Sequence, residues 1–132
     1  MTCLRLATLL LVSQLQCETP APYVHPAAGF LSGYGQLPTD ATLAYRIEHG
    51  WIAPDAEYDV LIAVYDCWRV GDMATVNTIY GSFDALIFDC ANDVDGGQDW
   101  MKNGRYVAEL GWYAWQKYPG LIGSWAEVDY DK

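Results

Sequence analysis

The sequence predicts one mainly β domain of the α+β class, a small β-barrel with short helical insertions. The chain has 132 residues, which is room for one hydrophobic core. Hydrophobic residues make up 52% and charged residues 18%, a composition that excludes a disordered chain. Short apolar segments follow one another without the regular strand–helix alternation of parallel α/β folds, and this pattern favours a barrel.

Five to six short strands are predicted from apolar and β-branched segments bounded by turn residues. The segment 58–66 is apolar on both faces, so it should lie inside a sheet or barrel. The other predicted strands are a short one near 30–34, two within 73–89 separated by a turn at Gly81 and Ser82, one at 105–112 and one at 121–130.

Three short helices are predicted between these strands. The first covers 39–50, where Thr39 or Asp40 can cap its start and Gly50 offers a left-handed end. The second covers 96–104 and ends at an Asn-Gly pair, and the third covers 113–120 and ends at Pro-Gly.

The first 17 residues resemble an export signal. Arg5 supplies a positive charge, and the apolar run 6–12 is too short to span a bilayer. We expect cleavage after Cys17; lipid attachment at Cys17 and a buried N-terminal helix are the alternatives. Residues 18–38, rich in Pro, Gly, Ala and Tyr, are predicted to form an extended arm, and 39–132 to form the barrel domain.

The charge of the chain limits its partners. From residue 18 onward it carries 17 acidic and six basic residues, a formal charge of −11. Such a surface repels phosphate backbones and anionic lipid head groups, so we expect no nucleic-acid partner and no electrostatic binding to a membrane surface. We also expect no membrane span, because the apolar run 6–12 is too short. Neutral polymers, cations and basic partners remain compatible with this negative charge.

Two strand endings repeat one motif. The segments "LIAVYDC" (61–67) and "ALIFDC" (85–90) both end in aromatic–Asp–Cys. A repeated strand unit would place Asp66 and Asp89 at related strand ends and bring Cys67 near Cys90, whereas coincidence is the alternative. An even pair of cysteines in an exported chain favours a disulfide over two buried thiols.

The segment "LIFDCANDVDGGQDWM" (86–101) has a strand-end Asp, a glycine-containing loop and a second Asp ten residues on. In this it is similar to the three-aspartate domain of lytic transglycosylases. That domain belongs to the double-psi β-barrel group, with barwin, expansin and rare-lipoprotein-A-like domains. The resemblance covers about 33–130 and implies a six-stranded double-psi-like barrel built from two interlocking units. It also implies that Asp89 takes the catalytic-acid position and Asp99 the later one.

These carboxylates are the candidate catalytic residues. Asp89 follows a buried strand, so partial desolvation would keep it protonated enough to donate a proton to a glycosidic oxygen. Asp66 or Asp99 would then stabilise the cationic sugar, because glycoside hydrolysis commonly uses two carboxylates. The alternative is that these aspartates accept backbone N–H bonds at strand ends and turns.

Six tryptophans and ten tyrosines provide flat faces for stacking on sugar rings. Trp68 and Trp100, beside the two acidic loops, are the candidate substrate-binding residues, although large aromatics in small domains are commonly core residues. Asp93 and Asp95 do not fit a calcium loop, because Ala91 and Lys102 would then fall at ligand positions. We therefore predict no metal site and no cofactor.

Together these features predict a secreted protein that engages cell-wall or extracellular polysaccharide, with glycosidic cleavage by the strand-end aspartates as a further possibility. The alternative is a non-catalytic secreted structural or protein-interaction module.

Overall fold

The computed structural model describes residues 21–130, which contain a closed barrel of six β-strands. The strands are β1 (Ala28–Gly33), β2 (Val60–Val64), β3 (Met73–Thr78), β4 (Gly81–Cys90), β5 (Tyr106–Leu110) and β6 (Trp125–Asp129). Three helices separate them, α1 (Gln36–Glu48), α2 (Gly97–Gly104) and α3 (Trp112–Lys117). Around the barrel the strands follow the order β1-β5-β2-β4-β3-β6. The predicted small α+β barrel of six strands is confirmed.

The barrel mixes parallel and antiparallel neighbours. β1 pairs with β5, and β2 with β4, in parallel, whereas the other four pairings are antiparallel. Exchanging β1, β2 and β3 with β4, β5 and β6 leaves every pairing and every strand direction unchanged. The strand topology therefore has internal twofold symmetry.

Alternating apolar residues divide the core into two layers. One layer fills the barrel and includes Leu31, Ile62, Ile87 and Val107, each fully buried. The other lies outside the barrel, where α1 covers the opposite faces of β2 and β4; its buried members are Ile52, Leu61, Ala63, Leu86 and Phe88. Both faces of β2 and β4 are covered, as the uninterrupted apolar runs in their sequences predict.

The first strand and the first helix begin earlier than the sequence indicates. β1 extends over 28–33 and pairs with β5 and β6, so part of the segment 18–38 belongs to the barrel. α1 starts at Gln36 after Gly35, and it has no side-chain cap. Thr39 is buried inside its first turn, where its hydroxyl donates to the Gly35 carbonyl and accepts the Trp112 N–H. Thr39 thus ties α1 to α3 and does not cap the helix.

The expected export signal and the cleavage or lipidation of Cys17 lie outside the described residues. Between residues 21 and 130 no helix is both long enough and apolar enough to cross a bilayer.

Candidate functional site

The ends of β2 and β4 lie side by side and are joined covalently. Val64 is paired with Cys90 in the parallel register, and a disulfide links Cys67 to Cys90 with the Cα atoms 4.9 Å apart. The predicted disulfide is confirmed. Because each cysteine directly follows an aspartate, the bridge also brings the backbone of Asp66 near that of Asp89.

A bulge in β4 determines where Asp89 points. Ile62 pairs with Ile87, but the next residue of β2, Ala63, pairs with Asp89, so Phe88 is the extra residue. Phe88 packs in the layer beneath α1. Asp89 meets the Arg46 side chain of α1, whose guanidinium donates to the Asp89 carboxylate at 2.9 Å and to the Phe88 carbonyl at 3.1 Å.

The Arg46 guanidinium also supports an aromatic ring. Its carbon lies 4.6 Å from the ring centroid of Trp51, a distance suited to a cation–π contact. Trp51 follows the C-terminal end of α1 and remains 52% exposed. Asp89, Arg46 and Trp51 thus form a continuous chain of contacts from the barrel to solvent.

A second chain of the same type lies on the other side of the disulfide. The Arg69 guanidinium contacts the Asp66 carboxylate at 3.5 Å and lies 4.1 Å from the ring centroid of Trp68. Trp68 is 72% exposed in the 3₁₀ turn Cys67–Arg69. Each aromatic–Asp–Cys motif therefore supplies a carboxylate that holds an arginine against an exposed tryptophan.

The two tryptophans line one pocket. Its volume is about 300 Å³, and its walls are formed by Arg46, Trp51, Cys67, Trp68, Val70 and Cys90. We call this the Trp51–Trp68 pocket. The disulfide and both indole rings give it a mainly apolar lining, and Arg46 adds a polar edge.

Asp89 has a second carboxylate nearby, on β5. Ala63 of β2 is paired with Asp89 of β4 on one side and with Glu109 of β5 on the other. The two acidic residues therefore lie in one row across three neighbouring strands, with only the small Ala63 side chain between them. Burial, together with the charges of Asp89 and Asp95, raises the pKa of Glu109 to about 7. Glu109 can therefore hold a proton near neutral pH.

Tyr34 completes the surroundings of Asp89. Its hydroxyl donates a hydrogen bond to the Asp89 carboxylate, and its ring packs edge-on against Phe88. Burial, followed by the bond to Asp89, raises the pKa of the Tyr34 hydroxyl well above its usual range. Tyr34 therefore remains a donor, and Asp89 accepts bonds from both Tyr34 and Arg46.

The other candidates lie apart from these contacts. Asp99 is exposed in the first turn of α2, and Trp100 stacks on Tyr106 with ring centroids 4.3 Å apart. Neither residue lines the Trp51–Trp68 pocket. In the loop before α2, the Asn92 side chain accepts the N–H of Val94, as expected of a turn. Among residues 21–130 no group of three or more His, Cys, Asp or Glu is placed to hold a metal ion.

The fold and this site together define a small, closed, mixed β-barrel with an aromatic pocket built on a disulfide. No known protein family, curated protein or solved structure matches the chain.

Proposed function

We propose that the protein is a secreted module that binds a neutral extracellular polysaccharide in the Trp51–Trp68 pocket. The observation that carries this proposal is the pair of exposed indoles, each with an arginine guanidinium over its ring. Ordered aromatic rings at a surface provide contact area at a low entropy cost, and sugar rings offer flat apolar faces to them.

The charges around the pocket favour an uncharged ligand. Arg46 is paired with Asp89, and Arg69 with Asp66, so neither guanidinium offers an unbalanced positive charge. From residue 18 onward the chain is strongly acidic, which disfavours anionic polymers. A neutral glycan meets no such repulsion.

An extracytoplasmic location agrees with the disulfide, because such bonds persist in oxidising compartments. The expected export signal supports the same location. The resemblance to the double-psi group suggests a cell-wall glycan as the ligand, and the twofold strand topology is compatible with two interlocking units.

Retention on insoluble polysaccharides tests the binding proposal. We expect the protein to sediment with at least one neutral polysaccharide, and the W51A/W68A double variant to remain in the supernatant. The matched control is Trp125→Ala, since Trp125 is 53% exposed but packs against Phe30 on β1 and does not line the pocket. Equal retention of the double variant would contradict the proposal, and retention on no glycan would favour the protein-interaction module.

Cleavage of the bound glycan is a second candidate function, favoured by the placement of Asp89 and Glu109 on either side of Ala63. In this scheme the protonated Glu109 donates its proton to the glycosidic oxygen as the bond to the leaving sugar breaks, and the Asp89 carboxylate stabilises the positive charge that develops on the remaining sugar. A water molecule then adds to the sugar carbon and returns a proton to Glu109. The sequence predicts Asp89 as the general acid, whereas in this scheme Glu109 takes that role and Asp89 stabilises the charge.

Release of soluble sugar from a retained polysaccharide tests cleavage. We expect Glu109→Gln to reduce the rate by about a hundredfold or more through loss of the general acid, and Asp89→Asn to do so through loss of charge stabilisation. The Trp125→Ala variant should release sugar at the wild-type rate. Binding by the wild type without sugar release would reject cleavage and leave the binding proposal intact.

A further inference from the structure

A second cavity, which the proposed function does not use, lies at the opposite end of β2. Its volume is about 560 Å³, and it lies among α3, α1 and the first residues of β2 and β4. We call it the α3 cavity. Val60, at the start of β2, lines it, whereas the residues that follow the end of β2 line the Trp51–Trp68 pocket. Since β2 has five residues, the two sites are separated by roughly 16 Å of strand.

Aromatic rings form much of the wall of the α3 cavity. Phe83 and Tyr118 contact each other with ring centroids 5.2 Å apart, and Tyr58 and Tyr113 line the same space. The Tyr113 hydroxyl donates to the Asp40 carboxylate at 2.9 Å, so α1 holds this ring in position. Gly111 forms part of the wall, where a Cβ atom would lie 3.0 Å from Leu61. The cavity is therefore a preformed aromatic site.

Two charged side chains line the cavity, and they differ in what they already contact. The Asp59 carboxylate accepts the Asp84 N–H at 2.8 Å, and the Asp59 N–H donates to the Asp84 carbonyl at 2.8 Å. Lys117 lies on α3, with its ammonium 5.4 Å from the Tyr118 ring centroid. The ion pairs within residues 21–130 are those of Arg46 and Arg69, so in this part of the chain no carboxylate forms an ion pair with Lys117.

From this arrangement we infer that the α3 cavity binds a small aromatic carboxylate. The rings of Tyr58, Phe83 and Tyr118 would pack against the aromatic part of the ligand. The Lys117 ammonium would pair with the carboxylate. A cavity of this volume, lined by aromatic rings and a small number of charged side chains, is typical of a site for one small organic molecule.

Titration calorimetry with naphthalene-2-carboxylate, and with the uncharged naphthalene-2-carboxamide, tests this inference. We expect saturable binding of the carboxylate by the wild type and weaker binding of the carboxamide. Lys117→Met should weaken carboxylate binding about tenfold, because it removes a hydrogen bond to a charged group, and should leave carboxamide binding unchanged. Ser82→Trp should block both ligands, since Ser82 is exposed and lines the cavity.

Two further variants separate this site from the glycan site. Lys102→Met removes an exposed lysine of α2, and Trp68→Ala alters the other pocket; both should bind the carboxylate as the wild type does. The inference is overturned if the wild type shows no saturable binding or no preference for the carboxylate. It is also overturned if Ser82→Trp still binds, or if Trp68→Ala abolishes binding.

Discussion

Asp89 and Glu109 lie in the same row of the barrel but have different surroundings. Asp89 accepts hydrogen bonds from the Tyr34 hydroxyl and the Arg46 guanidinium. The causes of the raised pKa of Glu109 are burial and two neighbouring carboxylates. One row thus holds a hydrogen-bond-accepting carboxylate and a protonated acid, the two roles that carboxyl groups take in many acid–base sites.

The raised pKa of Glu109 predicts a pH-dependent stability. The ordinary value is 4.5 and the folded value about 7, so between these pH values the folded protein binds more protons than the unfolded chain. The free energy of unfolding should therefore fall as the pH rises through this window, and the loss should be complete above it. In Glu109→Gln this contribution should be absent.

Urea denaturation at a series of pH values measures this effect. The control is Glu127→Gln on β6, whose side chain is exposed, and it should follow the wild-type profile. Parallel profiles for the wild type and Glu109→Gln would contradict the assignment of Glu109 as the buried proton-holding group.

Sequence reasoning identified some residues of the site and missed others for a physical reason. Asp66, Asp89 and Trp68 are adjacent to the cysteines, so the repeated motif pointed to them directly. Arg46 lies on α1 and Trp51 follows it, and both reach the motif only through the packing of that helix on β4. No local pattern encodes that contact.

The sequence does contain an indication that Glu109 is a functional candidate. It is the one charged residue in the strand Tyr106–Leu110, whose other members are apolar or aromatic. A carboxyl group inside an otherwise buried strand is costly unless its pKa rises, so the position itself indicates a perturbed acid.

The position of the Trp51 segment, which follows α1, requires a glycine at position 71. Gly71 has a φ of +97°, and a Cβ atom there would lie 2.5 Å from the Trp51 carbonyl oxygen. The Gly71 N–H also donates to the Ile87 carbonyl of β4 at 2.8 Å. The missing side chain allows the Trp51 segment to lie against the loop that follows Trp68, so a Cβ atom at position 71 would push these two segments apart.

Gly71→Ala should therefore lower the free energy of unfolding and weaken glycan binding. The matched control is Gly50→Ala, since Gly50 has a φ of +81° but nothing within 4 Å of an added Cβ. Both variants place an alanine in the left-handed region, which should lower the free energy of unfolding by roughly 1–2 kcal/mol. In Gly71→Ala the clash with the Trp51 carbonyl should lower it by about 1 kcal/mol more. Denaturant titration and polysaccharide sedimentation measure the two effects. Equal losses in both variants would contradict this role of Gly71.

The helices show how local signals compete with tertiary packing. The sequence correctly predicts that α1 exists, because Leu43 and Ile47 form an apolar face toward the barrel. The predicted start of α1 at Thr39 is wrong, although Thr39 is a favoured capping residue. The Thr39 hydroxyl instead donates to the Gly35 carbonyl and accepts the Trp112 N–H. For α2, the predicted end at 103–104 agrees with the observed end at Gly104.

The whole molecule combines a symmetric strand topology with an asymmetric site. Strands β2 and β4, which carry the repeated motif, are parallel neighbours, whereas the topological exchange relates β2 to β5 and β4 to β1. The repeated sequence therefore does not mark equivalent strands of the two halves. It marks the two strand ends that the disulfide joins, and short apolar strands alone do not specify which of their neighbours they pair with.

The proposed function requires that Trp51 and Trp68 bind one uncharged glycan together. Titration of a soluble neutral oligosaccharide into the wild type, Trp51→Ala, Trp68→Ala and the double variant tests it most directly. Each single variant should bind about tenfold more weakly, since burying roughly 60 Å² of indole contributes about 1.5 kcal/mol. Because all ion pairs of the pocket are internal, raising the salt concentration should leave wild-type affinity unchanged. Wild-type affinity in the double variant would contradict the account.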